Sequence, residues 1–296
     1  MTMPLEEGQF SVGGVVFGRG CPVEVSDFLP GAPDAEENDT TRPFTDGTVF
    51  GIDRQAGPVH TWELNTSGAY TAAECLTAWQ QLAAAWNDPA LRSRPRAVTE
   101  LRARVYGGEE VVCYGRPRAL DAVATQLIRA GVVEFSADFR AVDSSFYSAT
   151  PESDLILDLV TSGGGGVTWP VTWPITWGEA PGQRSDALTN PGPNPVWPVI
   201  TIEGPVSQPS ISILGTDITV YLDATLAYDQ TVTIDPRPWD GTVLRNDGAS
   251  LRGQLSGSRL SQLQIPIGTT FISFQGTDPT GTARAVVSWQ RARSTP

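Results

Sequence analysis

Gly163-Gly164-Gly165-Gly166-Val167-Thr168-Trp169-Pro170-Val171-Thr172-Trp173-Pro174-Ile175-Thr176-Trp177 separates two halves of the chain that read differently. Each proline lacks an N–H, fixes its own φ and biases the preceding residue away from helix. The repeat is therefore expected to be extended, as a sheet-edge strand or a polyproline-like run. In a strand, a repeat of four is twice the side-chain period of two, so Trp169, Trp173 and Trp177 share one face. That face calls for cover from the next domain or a neighbouring subunit. The glycine run has no Gly-x-x-x-x-Gly-Lys continuation, so it reads as a link and not as a phosphate cradle. The stretch is the expected joint between domains 1–148 and 149–296.

Composition agrees with such a division. A length of 296 residues suits two domains, and 40% apolar content is enough for real cores. With 30 glycines and 24 prolines, turns are frequent and a mainly β protein is expected. The net charge is -13, and all 20 basic residues are arginine. Absence of lysine reads as the codon bias of a GC-rich genome. The acidic balance argues against a general nucleic-acid binder, which would present a basic face. No apolar run approaches the roughly 20 residues that span a bilayer. Met1 to Phe10 is acidic and lacks a signal-peptide core, so synthesis without Sec export, in a reducing cytoplasm, is expected. Cys21, Cys75 and Cys113 are odd in number and widely spaced, which fits neither a disulfide framework nor a zinc site. Three free thiols are expected, with Cys75 in a core.

In chain order, residues 10–18 read as a strand with a glycine turn, and Val23 and Val25 as a second short strand. Pro30 to Pro43 reads as a loop, and Thr48 to Leu64 as two strands. The sequence Thr71-Ala72-Ala73-Glu74 is a capping box. Ala72, Cys75, Leu76, Trp79, Leu82, Ala83 and Trp86 then line one helical face, ended by Asn87-Asp88-Pro89. Both tryptophans should point inward against a sheet. A hairpin follows, with Leu101, Ala103 and Val105 opposite Glu100, Arg102 and Arg104, and Val111 to Tyr114 returning after Gly107-Gly108. Residues 119–130 suit a short helix. Val133, Phe135, Ala137 and Phe139 alternate with Glu134, Ser136, Asp138 and Arg140 in a long amphipathic strand. The first half is thus α+β with one main helix. In the second half, short strands are expected at 196–203, 210–214, 217–222, 231–234, 241–244, 270–274 and 283–289, the pattern of an antiparallel β-sandwich.

Candidate chemistry is sparse. Asp34, Glu36, Glu37 and Asp39 resemble a calcium loop, but Asn38-Asp39-Thr40 stands where the obligatory glycine turn belongs, so a solvated acidic loop is expected. His60, the one histidine, falls in a strand and reads as a packed or surface residue. Without lysine there is neither a P-loop nor a Schiff base, and no Gly-x-Ser-x-Gly elbow occurs. Paired carboxylates of the glycosidase kind are available in any chain with 33 acids and are not specific here. No enzyme activity, cofactor or metal is expected. Arg92, Arg94 and Arg96 alternate in an expected extended lead-in, either meeting a subunit's acidic surface or simply solvated. Tyr221, Tyr228 and Trp239 sit near predicted strand ends, where aromatic rings would stack on sugars of a host glycan or fill a core.

In order, Phe146-Tyr147-Ser148, the tandem Trp-Pro repeat, Asn190-Pro191-Gly192 and Trp197-Pro198-Val199-Ile200-Thr201-Ile202-Glu203-Gly204-Pro205 resemble the distal tail proteins of siphophages, often labelled minor tail proteins in actinobacterial phages. The resemblance continues through Ile234-Asp235-Pro236-Arg237, Asp247-Gly248, Leu255, Leu263 to Gly268, and Val286-Val287-Ser288-Trp289. In the first half, Asp46-Gly47-Thr48-Val49-Phe50-Gly51 and Thr61-Trp62-Glu63-Leu64 join it. The repeat carries tryptophan where phenylalanine is commoner, and the 263–268 turn has an extra isoleucine before its glycine. This resemblance implies a belt domain forming a hexameric ring and a galectin-like sandwich projecting from it. It implies a place at the virion tail tip, between the tail tube and the receptor-binding proteins, with the tape measure as a further partner and DNA passing through the lumen. A channel that lets DNA through should repel phosphates, so acids are expected to line it. The alternative is a carbohydrate-binding adhesion module built on the sandwich.

Overall fold

The computed structural model describes residues 3–123, 126–152, 154–159, 182–278 and 280–296. The tryptophan joint, with Trp169, Trp173 and Trp177, lies outside the described residues. The fold is mainly β, with one long helix and several antiparallel sheets. It divides into two compact units, Met1–Ala149 with Arg293–Pro296, and Thr150–Ala292.

The first unit opens with β1 (Gln9–Val12) and β2 (Val15–Gly18). Gly13 and Gly14 both take positive φ, as a two-residue hairpin turn matching the strand twist requires. After β3 (Val23–Leu29), the chain leaves the sheet. Two short ladders follow, β4 (Ala35–Glu36) with β7 (Arg54–Gln55) and β5 (Thr40–Thr41) with β6 (Thr48–Val49). Where the sequence suggests a loop and then a strand at Thr48, a hairpin arm extends instead. The chain rejoins the sheet at β8 (Val59–Thr66).

Helix α1 (Ala72–Trp86) begins at the expected capping box: the Thr71 hydroxyl accepts from the Glu74 N–H, and the Glu74 carboxylate accepts from the Thr71 N–H at 2.9 Å. Leu82 and Trp86 are buried, and Trp79 packs half-buried against the core. The Trp86 indole N–H finds the Ala119 carbonyl at 2.9 Å. A short helix α2 (Pro89–Ser93) follows, and then β9 (Thr99–Arg104), β10 (Val111–Val123), β11 (Glu134–Ala141) and β12 (Phe146–Ser148). Strand β10 runs far past the expected Tyr114 and occupies part of the 119–130 segment read as helix, where only Gln126–Ala130 coils, as a 3₁₀ turn. Pairing with β11 overrides helix propensity there, and Pro117 is accommodated at a bulge in that ladder. The main path of the sheet is β2-β1-β9-β10-β11-β8-β3. One face carries the core: Trp62, fully buried, stacks on Phe28 at 5.0 Å and meets Phe10 and Trp86 edge-on at 5.9 and 6.0 Å.

The second unit holds two sheets. One orders β13 (Leu155–Asp158), β23 (Arg284–Ser288), β15 (Val199–Glu203), β19 (Thr231–Asp235) and β20 (Thr242–Arg245) as β13-β23-β15-β19-β20. The other orders β14 (Gly182–Asn190), β22 (Gly268–Thr277), β16 (Val206–Leu214), β17 (Ile218–Leu222) and β21 (Leu255–Gly257) as β14-β22-β16-β17-β21, with β18 (Thr225–Leu226) on β16. Ile200, Ile202, Ala285 and Val287 from the first sheet, and Ile211, Ile213, Ile272 and Phe274 from the second, are buried, the alternation a sandwich core requires. The last short strand, β24 (Ala292–Arg293), leads the chain back to the first unit. There Arg293 pairs with Glu109 at 2.5 Å.

Candidate functional site

Two features of the first unit stand apart from its core. The arm between β3 and β8 is exposed along its length, and Phe44, Phe50 and Ile52 are 104%, 83% and 83% accessible. Ladders two residues long do not hold a hairpin together in water. Large apolar side chains on such a segment call for a partner surface. Its roots are tightly built. A Cβ at Gly31 would fall 2.0 Å from the Val59 carbonyl oxygen, and one at Gly57 would fall 2.0 Å from that of Ala141, so both positions require glycine. Gly31 also donates its N–H to Nδ1 of His60 at 3.1 Å.

The open face of the sheet is the second feature. Register aligns Asp121, Ser136, Glu63 and Asp27 as one row across β10, β11, β8 and β3. The next row sets Glu134, Asn65 and Glu24 side by side. Asp138 lies beyond and accepts from the Thr61 hydroxyl at 2.9 Å. Glu63, Asp121 and Glu134 border a concavity of about 550 Å³ with no basic residue in its lining. Like charges directly across a ladder, as at Asp27 and Glu63, weaken it, so this face is not arranged for stability. Among the described residues, no group of three acid, histidine or cysteine side chains is set to hold a metal ion.

Behind the arm roots lies a buried polar cluster. His60 is 1% exposed, and its Nε2 sits 3.7 Å from the Cys113 sulfur. Because Nδ1 accepts from Gly31, the neutral ring carries its proton on Nε2 and faces the thiol as a donor, the wrong tautomer for a general base. Burial pushes the His60 pKa down to about 4 and the Cys113 thiol upward. Asp143 is also raised by burial, and Tyr147 donates to it at 2.6 Å. This is a packed, inert group and not an activated nucleophile. Cys21 and Cys75 are free thiols as well, Cys75 in the core.

The solved structures settle the fold. The SPP1 Dit protein, described as a paradigm of the hub adsorption apparatus of phages infecting Gram-positive bacteria, superposes with a TM-score of 0.59 at 10% identity, covering 96% of this chain and 98% of its own. It has the fold of a phage Dit protein. Chains of the phage P2 baseplate, in its activated conformation with Ca and with Sr, superpose at TM-scores of 0.56 and 0.55 with 12% and 13% identity. Each alignment covers 96% of this chain and 97% of the other. No protein-family model matches the sequence, and no curated protein is similar to it. At such identities the likeness is one of fold.

Within this Dit-like fold the sequence-derived residues scatter. Arg92, Arg94 and Arg96 are exposed, but not in an extended lead-in. Asp88 caps α2 by accepting the Ala90 N–H at 2.8 Å, and Pro89 opens it, which curls Arg92 into a helix. Arg96 takes a positive φ of 61°. Tyr221 and Tyr228 are 51% and 76% exposed, on β17 and in the β18–β19 loop. Trp239 is 7% exposed, with the Arg237 guanidinium 5.6 Å over its ring. Asp235 in turn holds that guanidinium through both oxygens, so the indole face is already occupied and offers nothing to a sugar. The apolar tip of the arm went unrecognised, although Phe44 and Phe50 among turn residues were the available signal.

Proposed function

We propose that the chain is a structural protein of a long-tailed phage virion, a distal tail hub whose copies close into a hexameric ring. The ring joins the tail tube to the tail-tip and receptor-binding proteins and meets the tape measure. The first unit is the ring-forming part, and its arm lies on the neighbouring copy. One observation carries this reading: Phe44, Phe50 and Ile52 are uncovered on an arm that cannot hold itself together. Burying each contributes about 1.5–3 kcal/mol, repeated at every interface of a closed ring. The fold shared with the SPP1 hub protein supports the reading. So does the acidic patch of the open face around Glu63, Asp121 and Glu134, which suits a passage from which DNA phosphates are repelled. Structural assembly, without catalysis, is the whole of this role, carried out at the virion tail tip after synthesis in the host cytoplasm.

Light scattering on the purified intact chain tests it. The wild type is expected at the mass of six copies, and the Phe44→Ser, Phe50→Ser, Ile52→Ser triple variant at the mass of one, with its far-UV dichroism and melting unchanged. A wild type that stays monomeric at every concentration, or a triple variant of unchanged mass, overturns the arm as the self-assembly element.

A further inference from the structure

We infer that the solvent face of the second unit's six-stranded sheet holds a binding site for an uncharged saccharide. A shallow cleft of about 520 Å³ lies there, bordered by Gln208, Ser210, Tyr221, Asp223, Ser256 and Gln275. Strand register explains why these distant residues meet. Ser256 stands opposite Tyr221, Tyr221 opposite Ser210, and Ser210 opposite Gln275, a single row across β21, β17, β16 and β22. At about 4.8 Å between strands the row runs for roughly 14 Å. Core residues such as Val220, Ile211 and Phe274 occupy the alternate positions of the same strands, so the row points away from the core; Ser210 within it is itself covered, and Tyr221, Ser256 and Gln275 are the members open to solvent.

The row is built for contact with a ligand. The Tyr221 side chain is half-exposed, and its ring edge packs close to Gly257, where a Cβ would fall 2.4 Å from the Thr219 carbonyl oxygen and 3.0 Å from the ring. Gln208 sits where the β16–β22 register shifts between Ser207 and Ser210, with a φ of 48° that a side-chain-bearing residue rarely adopts. That bulge turns the Gln208 amide toward Asp223, 3.5 Å from its Oδ1. Strain and bulges of this kind concentrate at ligand-contacting positions.

The chemistry of the lining selects the ligand. A half-exposed aromatic ring matches the C–H face of a pyranose. Two amides, the exposed Ser256 and Thr277 hydroxyls and one carboxylate match its hydroxyl groups as donors and acceptors. The lining has no arginine or histidine, and Asp223 is a carboxylate, so uronates, sialates and phosphosugars meet repulsion without compensation. The site therefore takes neutral hexose or N-acetylhexosamine chains. This inference is independent of the ring, because the cleft lies wholly within the second unit.

The test is a glycan array carrying uncharged hexose and N-acetylhexosamine oligomers beside uronate-, sialate- and phosphate-bearing ones, probed with the intact chain. The expected result is binding led by uncharged oligomers. Tyr221→Ala should weaken it by on the order of tenfold, and Asp223→Asn should reduce it. Gln275→Ala, at a half-buried solvent-face position, carries the test if the tyrosine variant melts early. Silence across the array, stronger binding of charged glycans, or binding untouched by Tyr221→Ala and Gln275→Ala overturns the site. Light scattering on the same samples keeps the outcomes separate, since loss of glycan binding leaves the oligomer mass unchanged and loss of the oligomer leaves the cleft intact.

Discussion

His60 shows what one side chain contributes. It is neutral in the fold, held between the Gly31 N–H and the Cys113 sulfur with Phe146 tilted at 5.0 Å, and its pKa falls from 6.5 to about 4. The folded state therefore resists a proton that the unfolded chain accepts. Its contribution is complete above pH 6.5 and is lost as the pH falls from there toward 4, by about 3 kcal/mol in all. Denaturant titrations from neutral pH down to about 4, on wild type and His60→Gln, should give curves that diverge at neutral pH and converge on acidification. Parallel curves would contradict the buried neutral ring. Its place in a strand made His60 a packed or surface residue, and burial decides for the first. Its hydrogen bond to Gly31 was not legible, because 29 residues and a whole arm separate the two.

Among the elements, α1 was the easiest to read and the arm the hardest. A capping box and a 3.6-residue apolar stripe are local signals, and Thr71→Ala is expected to cost about 1 kcal/mol in a denaturation series. The arm carries turn-forming residues and charges throughout, so composition made it a loop. Its meaning lies in what fails to cover Phe44 and Phe50, which no local pattern reveals. Strand β14 escaped notice for a related reason: among its described side chains Leu188 is the one buried apolar residue, yet all nine of its positions pair with β22. The acids of β11 were visible as polar alternation. Their alignment into rows depends on register with β3, β8 and β10. Glu63→Gln removes the repulsion across the ladder from Asp27 and should raise stability by about 0.2–1 kcal/mol. A lower melting temperature would contradict this placement.

For the molecule as a whole, the net charge of -13 belongs partly to the open sheet face. If copies close into the proposed ring with this face lining its passage, Glu63→Arg, Asp121→Arg and Glu134→Arg together should make it retain duplex DNA in low-salt pull-downs, with retention lost as salt rises. Protein that ignores DNA in both forms would count against this face lining a DNA passage. The mainly β class, the one long helix and the tail-protein resemblance were all in the sequence, because periodicity, turns and motif order are written along the chain. Which side chains share a surface was not, since that depends on pairing between distant strands. A last consequence follows from the return of Arg293–Pro296 to the first unit: residues 150–292 are inserted within it, fastened at both ends. A unit inserted in this way can be exchanged for another by cutting at two seams, 149/150 and 292/293, without touching the rest of the first unit. Were the proposed hub role correct, such an exchange would change what the second unit meets and leave the assembly made by the first.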